Sequence, residues 1–82
     1  MSNAAQMNTY AIVRRSDHRV LYLDDYANEY LAQEWFECER RTHTGVDLAA
    51  SSSMVVMDPD DVVSPQVGDE VIWDSDGLAI LA

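Results

Sequence analysis

One stretch of the chain, from Asp25 to His43, spaces its apolar residues with the period of an α-helix. At about 100° per residue, one stripe of that helix collects the apolar residues at the spacing typical of a buried face: Ala27, Tyr30, Leu31, Trp35 and Cys38. The segments on either side are rich in β-branched and aromatic residues, which favour strands. A single amphipathic helix among strands predicts an α+β fold in which the helix packs on one face of a small antiparallel sheet.

Signals at both ends place this helix at residues 25–43. Asp24 or Asp25 supplies an N-cap oxygen and a negative charge at the positive end of the helix. Gly45 can adopt the left-handed conformation that often ends a helix. Cys38, on the predicted buried stripe, is interpreted as a small apolar core residue.

The opposite side of the helix carries charged residues and one large apolar side chain: Asp25, Glu29, Ala32, Phe36 and Arg40. Phe36 is therefore predicted to be exposed among charges. An exposed aromatic side chain can serve as the desolvated anchor that a protein–protein contact needs. The alternative is that a loop or the N-terminal arm covers Phe36.

Strands are predicted on both sides of the helix. Thr9–Arg15 and Arg19–Leu23 flank a Ser-Asp-His turn and predict a hairpin. Their alternation assigns no clear core face, because apolar residues occupy both parities. After the helix, Met54–Met57 predicts a short buried strand, which the turn signal Asp58-Pro59 ends.

The C-terminal part of the chain predicts a second hairpin. A strand runs through Trp73, and Asp76-Gly77 suits the positive φ angles of a tight reversal before a last strand in residues 78–82. The element order is therefore β-β-α-β-β-β, with about four to five strands in the sheet. We predict a single acidic domain over residues 7–82 and interpret residues 1–6 as a vector-derived or disordered segment.

Composition favours a cytoplasmic protein. The one cysteine cannot form an intramolecular disulfide, so nothing favours an oxidising compartment. No run approaches the ~18 apolar residues that a bilayer-spanning helix needs, and the N-terminus lacks the pattern of a signal peptide. With 48% hydrophobic residues, the chain is also too apolar for a disordered acidic tail.

The charge of the chain is strongly asymmetric. The formal net charge is −10, from 15 acidic residues and 5 arginines. Residues 1–41 hold seven acids and all five arginines, a net of −2, whereas residues 42–82 hold eight acids and no base, a net of −8. Such a surface repels nucleic acids and anionic membranes and attracts cationic proteins.

No catalytic, cofactor or metal site is predicted. The sequence Asp74–Gly77 resembles the middle of a calcium loop, but the first ligand and the bidentate Glu of that pattern are missing, so a hairpin turn is favoured. Cys38 and His43 could pair as thiolate and imidazole, but no Ser, His and Asp grouping and no glycine-rich phosphate loop is present. The chain is therefore predicted not to be an enzyme.

Three arginines, Arg14, Arg15 and Arg19, cluster at the first hairpin beside Tyr10 and Tyr22. Arginines interleaved with aromatic residues are typical of nucleic-acid-binding patches. Because acids outnumber bases threefold, a duplex would be repelled from most directions. These arginines are predicted instead to pair with carboxylates of the protein itself.

Carboxylates without a compensating base lie between Met57 and Gly77, and we call this set the acidic strip: Asp58, Asp60, Asp61, Asp69, Glu70, Asp74 and Asp76. DNA presents one negative charge per ~1.7 Å, which rows of Lys and Arg receive on the proteins that bind it. The acidic strip could occupy such a row. The sequence thus predicts an inhibitor that mimics nucleic acid and binds a basic nucleic-acid-binding protein through the acidic strip, Glu29 and Phe36.

Small acidic proteins without an active site are typical of the inhibitors with which phages and mobile elements counter host defence, anti-CRISPR proteins among them. That likeness is an analogy of size and charge, since the class shares no motif, and it would place this protein in the cytoplasm of a host cell. Two alternatives stay open. The acidity can serve solubility or adaptation to high salt. The protein can also be an assembly component, a small virion or oligomer subunit, whose apolar ending Leu78–Ala82 supplies a pairing edge.

Overall fold

Five strands and one helix make up the described part of the chain, which a computed structural model gives for residues 7–42 and 51–82. In chain order they are β1 (Asn8–Arg14), β2 (Val20–Tyr26), α1 (Glu29–Thr42), β3 (Ser52–Val56), β4 (Val71–Trp73) and β5 (Ala79–Leu81). The predicted α+β class and the order β-β-α-β-β-β are confirmed. Some interpretations lie outside the described residues: those for residues 1–6, His43, Gly45 and the side chain of Arg40.

β1 is the central strand of a three-stranded antiparallel sheet with the order β2-β1-β3. β1 and β2 form the predicted first hairpin, which the N–H of Arg14 closes by donating to the Arg19 carbonyl at 2.8 Å. His18 takes a left-handed φ of 58° in this turn. The second predicted hairpin, β4 and β5, forms a separate two-stranded sheet, with Gly77 at a φ of 84° in its turn. Local turn chemistry therefore predicts both reversals.

Two bridges join the sheets at their edges. Arg19 pairs with Glu70 beside β2, and Met57 pairs in parallel with Ala79 beside β3. At the second bridge the Asp58 N–H donates to the Ala79 carbonyl over 2.8 Å. The strands therefore follow one another around an incomplete ring, in the order β2-β1-β3-β5-β4. Curling five short strands in this way encloses a core that a flat sheet of the same size would leave exposed.

The hydrophobic core lies inside this ring. Val55 of β3 packs against its buried residues, which come from β1, β2, β4 and β5 and from the bridge that follows β3: Ala11, Val13, Val20, Met57, Val71 and Ala79. On β1, Tyr10 and Ile12 point to the opposite face and are buried as well, at 5% and 0% exposure. Because both faces of β1 are covered, its sequence lacks hydrophobic alternation, which explains why the core face could not be assigned.

The helix α1 begins at Glu29, later than predicted. Asn28 caps it, since its side-chain Oδ1 accepts the N–H of Leu31 at 3.0 Å. The predicted caps, Asp24 and Asp25, are wrong because β2 continues through both of them. Their side chains serve the strands instead, and Asp25 accepts a hydrogen bond of 2.7 Å from a hydroxyl of β1.

The side of the helix that faces the protein coincides only in part with the predicted stripe, of which Trp35 is half-buried. Ala32 is fully buried and Phe36, one turn further on, is half-buried, although both were predicted to face outwards; Glu29 of the same predicted face is exposed. Tyr30 and Leu31, which were assigned to the buried stripe, are 71% and 40% exposed. The physical reason is size, because a small alanine lets a helix backbone approach its neighbours closely in a tightly packed interior. A hydrophobicity pattern gives more weight to the larger residues.

Aromatic rings connect the helix to the sheet. The ring of Tyr26, at the end of β2, lies 5.5 Å from the ring of Trp35 and 6.5 Å from that of Tyr10, centroid to centroid. Trp35, which makes this contact, is half-buried. Cys38, a turn beyond it, is free and exposed, so its interpretation as a core residue is wrong.

Candidate functional site

The carboxylates of the acidic strip lie next to one another over the loops that follow β3 and surround the β4–β5 hairpin. Asp61, Asp69 and Glu70 line one hollow at the end of β5. Asp58 shares the neighbouring hollow with Asp61, and its carboxyl group lies close to that of Asp74. Asp74 and the adjacent turn then carry the strip to the tip of the hairpin. Residues that are far apart in the sequence thus form one run of negative charge.

Backbone N–H groups fix four of these carboxylates. Each accepts a hydrogen bond of 2.8 Å: Asp58 from Asp60, Asp61 from Leu81, Asp69 from Gln66, and Asp74 from Asp76. Such bonds are the usual way in which Asp organises turns and loops. The other side chains of the strip accept no hydrogen bond from a described residue: Asp60, Glu70 and Asp76. The strip therefore contains both structural and unengaged carboxylates.

Asp74 organises the β4–β5 turn. Its Oδ1 accepts the N–H groups of Leu78 and Asp76 at 2.9 and 2.8 Å. The pKa of Asp74 is lowered, first of all because the N–H of Leu78 stabilises the carboxylate. Partial desolvation opposes this, while the N–H groups of Asp76 and Gly77 add to it. The hairpin tip consequently keeps its charge to a lower pH than a free Asp would.

The strip is not neutralised inside the described part of the protein. The ion pair found there joins Arg14 to Asp17 at 2.7 Å, in the turn of the first hairpin. Arg19 lines the same hollow as Glu70, yet its guanidinium donates to the Gly68 carbonyl at 3.1 Å. The carboxylates of the strip thus form no ion pair with any described residue.

The arginines of the first hairpin are engaged within the fold. Arg14 pairs with Asp17, as predicted. Arg15 reaches across to β3 and donates to the Ser52 carbonyl and to Ser53 Oγ, both at 3.0 Å. These contacts occupy guanidinium groups that a nucleic-acid-binding patch would need.

Two further predicted binding residues lie on α1. Glu29 is exposed in the first turn and faces a groove that also touches Gly77, next to Asp76 of the strip. Phe36 is half-buried two turns along the helix, on the same side as Ala32. Half-burial lies between the two alternatives for Phe36, so its role as an aromatic anchor stays a prediction.

The groove beside Glu29 could not be foreseen from the sequence. It lies where the strand ring is incomplete, between α1, the outer edge of β3 and the β4–β5 turn. Its lining includes residues from four separate segments: Tyr10, Glu29, Gln33, Met54, Val56 and Trp73. Trp73 is 48% exposed, so a large aromatic face is open to a partner at this place. No local pattern could predict the groove, because its walls meet only in the folded chain.

Comparison with known proteins adds no family to this geometry. No protein-family model matches the chain, and neither a curated protein nor a solved structure matches it significantly. In residues 7–42 and 51–82, no group of three or more His, Cys, Asp or Glu is placed to hold a metal ion. The same residues contain no helix that is long and apolar enough to cross a bilayer. Function is therefore inferred from charge and shape.

Proposed function

We propose that the protein is a small, non-enzymatic binding protein that inhibits a basic nucleic-acid-binding partner by occupying its nucleic-acid site. The observation that supports this best is the acidic strip, whose carboxylates follow one another over neighbouring loops and form no ion pair with a described residue. A row of Lys and Arg that receives phosphates would receive these carboxylates in the same way.

The local hydrogen bonds of the strip support the proposal further. Backbone N–H groups hold Asp58, Asp61, Asp69 and Asp74, so their charges keep defined positions before a partner arrives. A partner then gains electrostatic attraction without the entropic cost of ordering those side chains. Uncompensated charge of one sign also accelerates encounter, over a screening length of about 8 Å at physiological salt. Association is expected to slow as the salt concentration rises.

The proposal extends to a biological class and a location. Small acidic inhibitors of this kind are encoded by phages and mobile elements against host defence, and anti-CRISPR proteins are examples. A member of that class would act in the cytoplasm of the host cell, where its basic partner binds nucleic acid. Such an inhibitor needs neither a cofactor nor a metal ion, since its activity is occupancy of a surface.

Two variants with equal net charge test whether the position of the charge matters. Asp60→Lys with Asp76→Lys changes unengaged carboxylates of the strip, and Glu34→Lys with Glu37→Lys makes the same change on the helix. Both take the net charge from −10 to −6, because two replacements each add two units. The immobilised wild type and variants are exposed to lysate of the host cells, with and without duplex DNA.

We expect the wild type and the helix variant to capture the same basic protein, and the strip variant to capture about tenfold less of it. Duplex DNA should compete for the captured protein. Equal capture by all three forms would show that the strip is not the recognition surface. Capture that duplex DNA and single-stranded DNA both fail to reduce would contradict the mimicry of nucleic acid.

An oligomer subunit is the alternative proposal. The apolar ending of the chain no longer favours it, because Ala79 is buried and Ile80 and Leu81 are half-buried in β5. What favours it is the outer edge of β3, which could pair with a second copy. Light scattering over a range of concentrations tests this role, and a monomer at every concentration would exclude it.

A further inference from the structure

The outer edge of β3 carries backbone groups that point away from the sheet. Met57 donates its N–H to the Thr9 carbonyl at 2.8 Å, which identifies the odd-numbered residues of this segment as those bonded to β1. In an antiparallel ladder, the residues between them direct their N–H and C=O groups to the other side. Ser52, Met54 and Val56 therefore present their backbone groups to the outer edge.

Contacts within the described residues occupy the two ends of this edge. At one end Arg15 donates to the Ser52 carbonyl at 3.0 Å, and at the other the bridge between Met57 and Ala79 brings in β5. Between these ends, no described strand pairs with Met54, whose N–H and C=O both face outwards. An edge of this kind can accept an added strand.

The groove lined by Glu29 and Trp73 runs along the same edge. Tyr10, Met54 and Trp73 give it an apolar wall. Glu29 is charged, and the β4–β5 turn beside it carries further carboxylates of the acidic strip. No Lys or Arg of the described residues lines the groove. An extended chain in which apolar side chains alternate with cationic ones fits both the edge and its charge.

We infer that β3 docks an extended cationic segment of the partner as an added strand, with Trp73 packed against the apolar side chains of that segment. The inference rests on the proposed function for the basic character of the partner. Main-chain hydrogen bonds to Met54 set the register, and Glu29 selects a Lys or Arg that reaches it. A second copy of this chain fits less well, because it brings a net charge of −10 and places carboxylates against carboxylates.

The test uses a short blocked peptide of alternating Val and Lys as its probe. A peptide of alternating Pro and Lys is the charge-matched control, because Pro lacks the N–H that an added strand donates. In NMR spectra of isotope-labelled protein, the Val-Lys peptide should shift the amide signals of Ser52–Val56 and the indole signal of Trp73. The Pro-Lys peptide should leave these signals in place.

Three variants locate the binding. Met54→Pro removes an outward N–H without removing a hydrogen bond to β1, so the edge is changed while the sheet is kept. Trp73→Ala removes the aromatic wall, and Tyr30→Ala is its control, at an aromatic side chain that is 71% exposed and outside the groove. We expect the first two to weaken peptide binding about tenfold and Tyr30→Ala to leave it unchanged. If circular dichroism shows that Met54→Pro is unfolded, Trp73→Ala and the two peptides decide.

The outcomes separate this inference from the proposed function. If Met54→Pro and Trp73→Ala bind the Val-Lys peptide as the wild type does, while reversal of Asp60 and Asp76 weakens capture of the partner, the edge inference is overturned and the proposed function stands. If the edge variants lose the peptide but the reversals do not affect capture, strand addition at β3 stands and the proposed recognition through the acidic strip falls. A wild type that does not bind the peptide, or a dimer that Met54→Pro converts to a monomer, also overturns the inference.

Discussion

Asp60 and Asp61 are adjacent in the chain, but their carboxylates have different surroundings. Asp61 Oδ2 accepts the N–H of Leu81 at 2.8 Å and so ties the loop after β3 to the last strand. The side chain of Asp60 accepts no hydrogen bond from a described residue. Since the formal charge is the same at both positions, comparing variants of the two shows how much of the stability comes from the hydrogen bond of Asp61 and how much from the charge alone.

Asp61→Ala is expected to lower the free energy of unfolding by about 1–3 kcal/mol, because it leaves the partly buried N–H of Leu81 without an acceptor. Asp60→Ala, the matched control, should change it by less than about 0.5 kcal/mol. Urea denaturation followed by tryptophan fluorescence measures both. Equal losses in the two variants would mean that the hydrogen bond of Asp61 contributes nothing to stability.

Asp17 makes the stability of the first hairpin depend on pH. Its pKa falls from 3.8 to about 2, chiefly because the Arg14 side chain donates to the carboxylate, with a smaller contribution from the N–H of Arg19. A pKa that is lower in the folded protein contributes stability above about pH 4, and that contribution is lost as the pH falls towards 2. We expect the wild type to be more stable than Asp17→Asn at neutral pH and this difference to shrink below pH 4. Thermal unfolding at several pH values tests this, and a constant difference would contradict it.

The face that α1 buries leads to a prediction at the scale of the element. Phe36 shares the buried side with Ala32, so Phe36→Ala is expected to lower the free energy of unfolding by about 1–3 kcal/mol. Tyr30→Ala, on the exposed side of the same helix, should cost less than about 0.5 kcal/mol. Thermal and urea unfolding of both variants would decide, and a larger loss for Tyr30→Ala would restore the face predicted from the sequence.

Elements whose limits depend on local chemistry could be predicted from the sequence. Asp76-Gly77 predicts the second hairpin because Gly77 adopts the positive φ that the reversal needs, and the turn before Arg19 predicts the first. The buried face of α1 could not be predicted in this way. Two stripes of the helix contain apolar residues, and which of them is buried depends on contacts with the sheet, such as that of Trp35 with the ring of Tyr26.

The candidate site likewise has one part that could be predicted from the sequence and one part that could not. The acidic strip could be predicted, because an asymmetric distribution of charge is visible in the sequence itself. The groove could not, since it forms where the β4–β5 turn folds back beside β3 and α1. The sequence accordingly favoured Phe36 as the aromatic anchor, whereas the exposed ring beside the strip belongs to Trp73.

For the whole molecule, the destabilisation that the acidic residues cause and the partner recognition proposed for them depend on different quantities. A net charge of −10 on 82 residues opposes folding by self-repulsion, and that cost follows the total charge. Recognition of a partner depends instead on where the charges lie. Variants with equal net charge but different positions therefore separate the two, and salt, which screens both, provides the measurement.

The melting temperature of the wild type is expected to rise between about 0.05 and 1 M salt, because the screening length falls to about 3 Å at the higher concentration. Asp60→Lys with Asp76→Lys and Glu34→Lys with Glu37→Lys should each melt higher than the wild type at low salt and gain less on adding salt, by similar amounts, since both have a net charge of −6. Calorimetry of the three proteins measures this, while capture of the partner should distinguish the two variants. A wild type that is unfolded below molar salt would assign the acidity to salt adaptation, and the case for recognition through the acidic strip would lose its premise.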